Sequence, residues 1–226
     1  MSIKEMEDEL FKSWRESYPN ETFVEDGAPC PEEFENSSIK CLFILKDPNF
    51  DPNEVQTDTF EMRTQLADKP HDWWRTVATW CAGISRIDEN PTWDDLKNED
   101  FKQALKPFAF MQLKKIVGVG SVNDTVLWDF ANRDRSNIIK QIQIYQPRVI
   151  ICGGVGKFIA NVFEVSDWKT TKRGVQYMIL NLDGLQTVLI DYMHPSARAA
   201  KNVVCFGILD AYREITNGLD FTQQTT

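Results

Sequence analysis

Short apolar runs that alternate with helical segments constrain this chain more than any other feature of its sequence. Segments with the apolar spacing of helices lie between most of these runs. Such alternation is typical of a parallel or mostly parallel sheet with helices on both faces. We therefore predict a three-layer α/β/α fold around a central, mostly parallel four-stranded sheet. The strand-like runs are residues 39–45, 108–113, 148–152, 175–180 and 186–191, with a turn at Asp183-Gly184 between the last two. A long helix is predicted over residues 123–146.

Residues 1–226 are predicted to form one domain, preceded by no signal peptide, since the N-terminus lacks a basic start followed by an apolar stretch. The segment 1–38 is strongly acidic, with a helical pattern over residues 4–17 and a polar, irregular stretch over residues 21–38. The longest apolar runs are too short to span a bilayer, so no membrane contact is expected. The five cysteines form no CxxC pair, which suggests neither a zinc site nor a disulfide framework. We expect a reducing, cytoplasmic location.

The formal net charge of −9 argues by itself against a nucleic-acid binder, because contact with phosphates needs cationic side chains. Much of the acidity lies in the N-terminal segment, however, and a local basic face remains open. Basic residues near the predicted site edge form either a solvated rim or a track for a nucleic-acid backbone. They are Lys46, Lys114, Lys115, Lys157, Arg198 and Lys201.

Two short motifs follow predicted strands, at the sheet edge where α/β proteins bind ligands. Asp47 comes directly after the run ending at Leu45 and is held by Pro48. An aspartate here is either a turn or helix cap or a functional carboxylate. His194 follows the run 186–191 and precedes Pro195, and it is as open to a structural role as to a catalytic one.

The turn Gly153-Gly154-Val155-Gly156-Lys157 matches neither GxxxxGK[ST] nor GxGxxG, which argues against nucleotide hydrolysis and dinucleotide binding. A glycine-rich turn from strand to helix can still offer backbone N–H groups to a phosphate.

Taken in order, these pieces resemble the uracil-DNA glycosylase superfamily. Leu45-Lys46-Asp47-Pro48-Asn49-Phe50 is similar to the family's first motif, a strand followed by Gly-Gln-Asp-Pro-Tyr-His. His194-Pro195-Ser196-Ala197-Arg198-Ala199 is similar to its His-Pro-Ser-Pro-Leu-Ser. Gln112 stands where the family has a base-reading Asn, and Cys152-Gly153-Gly154 resembles its Trp-Gly-Ser turn. The order and rough spacing agree over residues 39–205.

The resemblance implies catalytic roles for two residues. Asp47 would orient or deprotonate the water that attacks the sugar C1′, and would stabilise the developing oxocarbenium ion. His194 would donate a hydrogen bond to O2 of the departing base and share its negative charge. Gln112 would read the polar edge of the flipped base. Phe60, at the family's spacing from Asp47, or its rival Phe50 would stack on that base.

The resemblance also implies DNA as the partner, single- or double-stranded, and a monomer that needs neither cofactor nor metal. Gly153, Gly154 and Ser196 would contact DNA phosphates. Arg198 would stand where the family has an intercalating Leu, which fills the hole left by the flipped base. Lys46, Lys114 and Lys157 would follow the backbone.

Two departures bear on the substrate. Asn49 replaces the family's Tyr, which blocks a 5-methyl group, and Gln112 has a longer arm than Asn with an amide that can serve a uracil-type or a cytosine-type edge. We hypothesise that the excised pyrimidine need not be plain uracil and can be a 5-substituted base. The setting, repair or defence against modified phage DNA, stays open.

The sequence thus predicts a monofunctional DNA N-glycosylase that leaves an abasic site. Two alternatives remain. One is a non-catalytic protein of the same fold that binds nucleic acid or a protein partner, which the net charge and Arg198 favour. The other is an unrelated hydrolase or small-ligand α/β protein in which the motif matches are coincidental.

Overall fold

The computed structural model describes residues 1–48, 59–68, 70, 74–118 and 122–219, and within them ten α-helices, eight β-strands and a 3-10 helix at Ile87–Glu89. The strands are β1 (Phe23–Glu25), β2 (Cys41–Leu45), β3 (Thr59–Glu61), β4 (Ala109–Gln112), β5 (Val149–Gly153), β6 (Lys169–Thr170), β7 (Gln176–Leu182) and β8 (Leu185–Tyr192). The helices are α1 (Ile3–Arg15), α2 (Pro31–Asn36), α3 (Met62–Asp68), α4 (Arg75–Ser85), α5 (Trp93–Lys97), α6 (Phe101–Leu105), α7 (Asp124–Arg133), α8 (Arg135–Tyr145), α9 (Gly156–Val162) and α10 (Lys201–Asn217).

The main sheet is mostly parallel, as predicted, but it has six strands rather than four. Its order is β4-β2-β5-β8-β7-β6. The four strands from β4 to β8 run parallel, whereas β7 is antiparallel to β8 and β6 is antiparallel to β7. The tight turn at Asp183-Gly184, where both residues have positive φ, joins β7 and β8 as a hairpin, and the two-residue β6 pairs with the outer edge of β7.

Helices cover both faces of this sheet, and alternate residues of each central strand enter different cores. Leu42 and Ile44 pack with α1, α2, α7, α8 and α9, while Phe43 and Leu45 pack with α3, α4, α5, α6 and α10. Strands β2, β4 and β5 are buried at every residue, which explains why their sequences are continuous apolar runs. The predicted three layers are therefore present.

The N-terminal segment is part of the sheet edge, although the sequence predicted residues 21–38 to be irregular. Strand β1 pairs in parallel with β3, and the same stretch makes antiparallel bridges from Phe23 to Ile116 and from Gly27 to Phe110. Helix α1 begins with a capping box between Ser2 and Glu5. A three-residue strand is too short to display the alternation by which strands are recognised in a sequence.

The helix predicted over residues 123–146 is broken at Asp134 into α7 and α8. The Asp134 side chain is buried and accepts a short hydrogen bond from the Tyr18 hydroxyl, which Arg133 also contacts. The helix breaks at the residue that makes this tertiary contact. The apolar periodicity of the sequence does not indicate a break there. Among the described helices, none is both long and apolar enough to cross a membrane.

Candidate active site

The carboxyl ends of the parallel strands bring the predicted motifs to one edge of the sheet. Leu45 and Gln112 are paired in register at the ends of β2 and β4. The ladder continues beyond them, because Leu113 N–H donates to Leu45 O at 2.9 Å and Lys114 N–H donates to Lys46 O at 3.0 Å. Asp47 therefore emerges beside the chain that follows β4.

Asp47 is half-buried between two lysines. Burial raises the pKa of its carboxyl group above the ordinary value, and the positive charges of Lys114 and Lys46 oppose that rise. The chain after β4 folds back over the motif, since Gly118 N–H donates to Pro48 O at 3.2 Å. A Cβ atom at Gly118 would lie 2.6 Å from Lys114 Nζ and 3.5 Å from Asp47 Oδ2, so this glycine lies directly against the Lys114 ammonium and the Asp47 carboxylate.

Lys114 is only 8% exposed, and burial lowers the pKa of its ammonium group while Asp47 and Glu21 raise it. The sequence predicted that Lys114 follows a DNA backbone. Its burial makes it chiefly the charged neighbour of Asp47, with little of its side chain available to an external phosphate.

His194 is half-buried after β8, and its imidazole is held by the residue two positions on. Ser196 N–H donates to His194 Nδ1 at 3.2 Å, and the Ser196 hydroxyl lies 2.7 Å from the same nitrogen. An N–H donor at Nδ1 requires that nitrogen to be an acceptor, so the neutral ring carries its proton on Nε2. Burial, helped by the charge of Lys46, lowers the pKa of His194 to about 4, which keeps the ring neutral at pH 7.

The glycine turn after β5 joins the two motifs. A Cβ at Gly153 would meet Leu45 Cδ2 at 2.6 Å and Pro195 Cδ at 3.1 Å. Gly154 has φ +72°, donates its N–H to Tyr192 O at 2.7 Å, and would place a Cβ 3.3 Å from Lys46 Cε. Residues of the Asp47 motif and of the His194 motif therefore both lie against the same two glycines.

The first residues of α9, which follows the glycine turn, bind carboxylates of the protein itself. Asp191 accepts a hydrogen bond from Gly156 N–H at 3.1 Å, and burial raises the pKa of that carboxyl group. Lys157, predicted to contact DNA, forms an ion pair with Asp124. The cationic surface that these residues offer to a phosphate is smaller than the sequence suggests.

Gln112 lies at the end of β4 with its side chain buried, 1% exposed. Its Nε2 reaches the Met62 sulfur at 3.8 Å, and its Oε1 has no hydrogen-bond partner among the residues that the structure describes. Phe60 lies in β3, half-buried against the core that contains Met62. The other two residues assigned to the base, Asn49 and Phe50, lie outside the described residues.

The loop after His194 is open to solvent. Ser196 and Arg198 are exposed. A cavity of about 220 Å³ lies beside Pro195 and is lined in addition by Ser196 and, from the start of α10, Lys201. Lys201, which the sequence placed in the basic rim, thus joins the surface next to the candidate site.

Sequence reasoning missed the polar residues behind Gln112. Asp26 accepts the Gln112 backbone N–H at 2.6 Å and the ammonium of the fully buried Lys115 at 2.5 Å. Lys115 was predicted to lie either in a solvated rim or on a track for a nucleic-acid backbone, and its burial contradicts both. No pattern in the sequence pairs it with Asp26, which lies far away along the chain. Only the tertiary fold reveals that contact.

Within the described part of the chain, no group of three or more His, Cys, Asp or Glu side chains has the arrangement of a metal site. A scan against protein-family models and a search of curated proteins find no match for this chain.

Proposed function

We propose that this protein is a DNA glycosylase of the uracil-DNA glycosylase type, which flips a pyrimidine and hydrolyses its N-glycosidic bond to leave an abasic site. The observation that carries the proposal is that Leu45 and Lys46, directly before Asp47, and the neutral His194 all lie against Gly153 and Gly154 at the carboxyl edge of the sheet. The parallel order of β4, β2, β5 and β8 supports the resemblance on which the proposal rests.

Asp47 acts on water in this proposal. Its carboxylate accepts a proton from the water whose oxygen attacks C1′, and its charge stabilises the oxocarbenium-like transition state. Lys114 and Lys46 favour the ionised carboxylate that this role requires, against the effect of burial. The C1′–N bond breaks and its electron pair leaves with the base.

His194 acts on the leaving base. A neutral ring with its proton on Nε2 is a hydrogen-bond donor that does not itself lose the proton at neutral pH. It can stabilise negative charge on a carbonyl oxygen of the departing base, and that interaction strengthens as the charge develops. The Ser196 contacts to Nδ1 fix both the tautomer and the orientation of the ring.

Gln112 reads the base. Its buried Oε1, which has no partner within the described part of the chain, would accept an N–H from the base edge. The amide can turn to serve the opposite pattern, because its present Nε2 contact with sulfur is weak. This supports a pyrimidine substrate without fixing it as uracil, and 5-substituted cytosines remain within the proposal.

The second candidate is a non-catalytic nucleic-acid or protein binder, and the charges around the site favour its protein-binding form. Lys157 is paired with Asp124, Lys114 is largely buried, and the chain carries a net charge of −9. Such a protein would bind DNA or a partner without releasing a base.

An abasic-site assay separates the two candidates. The protein is incubated with oligonucleotides that carry uracil, cytosine or 5-modified cytosines, followed by alkaline cleavage. We expect strand breaks with at least one modified or deaminated base, and their loss in Asp47→Ala. Asp167→Ala, which removes an exposed carboxylate in the loop before β6, is the matched control. Retained DNA binding without any cleavage would favour the non-catalytic candidate.

A further inference from the structure

The buried Gln112 amide is held on two sides by ion pairs that lie outside the candidate active site. The Asp26–Lys115 pair binds the Gln112 backbone, and the Glu7–Arg63 pair holds α3, the helix whose Met62 contacts the Gln112 side chain. Both originate in the acidic N-terminal segment, to which the sequence assigned no function.

Asp26 is the centre of the first arrangement. Its fully buried carboxylate accepts hydrogen bonds from the Gln112 backbone N–H at 2.6 Å, from Lys115 Nζ at 2.5 and 2.6 Å, and from Gln141 Nε2 at 2.7 Å. Gly27, the next residue, accepts the Phe110 N–H at 3.0 Å. The outer edge of β4 is thus fixed at Phe110 and again at Gln112 by consecutive residues of the N-terminal segment.

Lys115 holds Asp26 in place. Both side chains are 0% exposed, so neither charge has water as an alternative partner. The Lys115 ammonium also lies over the Trp14 ring, 5.2 Å from its centroid. Because Gln112 and Lys115 belong to the same strand extension and bind one carboxylate, a shift of either would leave a buried charge poorly paired.

The second arrangement fixes the other side of the amide. Glu7 of α1 is fully buried and accepts hydrogen bonds from Arg63 at 2.7 Å and from the Tyr145 hydroxyl at 2.6 Å. Arg63 follows Met62 at the start of α3, so this pair holds the helix turn that places the Met62 sulfur against Gln112 Nε2.

A buried amide oxygen without a partner has a cost that is recovered only when a donor arrives in the correct position. Within the described residues Gln112 Oε1 is such an atom, and a ligand that satisfies it must present a hydrogen-bond donor, such as the N–H of a base. How well it does so depends on where the end of β4 lies, which β2 fixes on one side of the strand and the N-terminal segment fixes on the other.

We propose that Asp26, supported by Lys115, is a positioning residue for base recognition: it sets the backbone of Gln112 so that the Gln112 amide meets the polar edge of a pyrimidine. This inference rests on the proposed function, since it takes the flipped base to be the ligand of Gln112. It also gives the acidic N-terminal segment a part in selecting the base.

Binding of free bases tests the inference without requiring catalysis. Calorimetric titrations with uracil, cytosine and 5-hydroxymethylcytosine are compared for the wild-type chain and a set of variants. Asp26→Val/Lys115→Met removes both charges and the acceptor for the Gln112 N–H. Asp26→Asn/Lys115→Met removes both charges but retains an acceptor oxygen. Gln112→Leu is the reference for lost recognition. Thr187→Val is the control for lost stability alone. It breaks a buried hydrogen bond to Pro147 O near the start of β8, away from the end of that strand that leads to His194.

We expect the Val/Met pair to weaken binding of the preferred base by about tenfold or more, and to reduce the preference over the other bases. The Asn/Met pair should recover part of that loss, and Thr187→Val should show neither effect. Wild-type affinity and preference in a folded Val/Met pair would overturn the inference. If that pair does not fold, the Asn/Met pair decides, with a loss of about threefold expected and wild-type affinity counting against the inference.

Failure of the proposed function gives a different result. In that case the wild-type chain binds none of the bases and Gln112→Leu has no effect, and the inference falls together with the function. If the wild-type chain binds a base, Gln112→Leu abolishes binding, and the Val/Met pair matches wild type, the proposed function stands and only the role of Asp26 is lost.

Discussion

At the scale of single residues, the Asp47 carboxylate is proposed to act in catalysis, and its charge also lowers the stability of the folded protein. A carboxyl group whose pKa is raised by burial binds its proton more tightly in the folded state than in the unfolded state. Its contribution to stability is therefore lost as pH rises from the unfolded value through the raised folded value, and at neutral pH the charged carboxylate opposes folding.

Asp47→Asn should remove that opposition together with the proposed base. We expect single-turnover base release to fall by about 10²- to 10⁴-fold, the usual contribution of a general base. The thermal midpoint at pH 7 should equal or exceed that of the wild-type protein. The same chain measured by calorimetry and by alkaline cleavage gives both values. A large loss of stability would mean that Asp47 is a turn or helix cap, the structural alternative that the sequence left open.

His194 should titrate far below the ordinary value for histidine. Burial and Lys46 lower its pKa to about 4, so the ring stays neutral from pH 7 down to that region. The chain contains only two histidines, and a His71→Gln variant leaves His194 alone in the imidazole region of a ¹⁵N-resolved NMR titration. We expect a midpoint near pH 4 and the chemical shifts of the Nε2–H tautomer. A midpoint near the unperturbed value of about 6.5 would contradict the proposed donor role.

At the scale of secondary-structure elements, the strands were predictable where their residues form long apolar runs. Strands β2, β4, β5 and the β7–β8 hairpin follow from such runs and from the Asp183-Gly184 turn. Strand β1 and the break at Asp134 were not predictable, because each depends on contacts between distant segments: β1 on bridges to Phe110 and Ile116, and the break on Tyr18.

The connection between α1 and β4 depends on a glycine at position 27. Gly27 has φ +144°, and a Cβ there would collide with Glu7 Oε1 and lie 2.8 Å from the Tyr145 hydroxyl. We expect Gly27→Ala to lower the free energy of unfolding by about 2–4 kcal/mol through this collision. Gly184→Ala is the matched control, since Gly184 also has positive φ, +92°, but open space around it, and should cost only about 1 kcal/mol. Equal losses in urea unfolding would mean that backbone strain, and not the collision, dominates at Gly27.

At the scale of the whole molecule, the charge distribution limits how this chain can hold DNA. Of the cations predicted to follow the backbone, Lys157 is paired and Lys114 is mostly buried, which leaves Lys46 and Arg198, with Lys201 beside them. The sequence revealed the net charge and the basic residues near the edge, but pairing and burial belong to the tertiary structure. The same holds for the site: Asp47, His194 and the glycine turn could be predicted from motif order, whereas Asp26 and Lys115 could not.

Binding to duplex DNA should therefore depend only moderately on salt. About three phosphate contacts correspond to a slope of about −3 for the logarithm of affinity against the logarithm of salt concentration. Fluorescence anisotropy with Asp47→Asn on a uracil duplex measures it. Arg198→Ala/Lys201→Ala should make the slope shallower by about two, whereas Lys169→Ala, in the edge strand β6, should not change it. A slope steeper than about −6 would require more phosphate contacts than these residues supply.

The stability of the whole fold should also respond to Glu7, whose carboxyl group lies between α1, α3 and α8. Burial raises its pKa to about 6, against the opposing effects of Arg63 and Tyr145. Because the folded state holds this proton more tightly than the unfolded state, stability falls as pH rises from about 4.5 to about 6. The difference is worth about 2 kcal/mol. Glu7→Gln should remove this part of the pH dependence, since Arg63 keeps Glu61 and Glu25 as ion partners.

Urea unfolding of the wild-type and Glu7→Gln proteins between pH 4.5 and 7 measures the difference, with Glu9→Gln, on the exposed side of α1, as the control. Parallel curves for wild type and Glu7→Gln would mean that Glu7 is ionised throughout this range, and that the N-terminal helix is held to the core by charge at every pH.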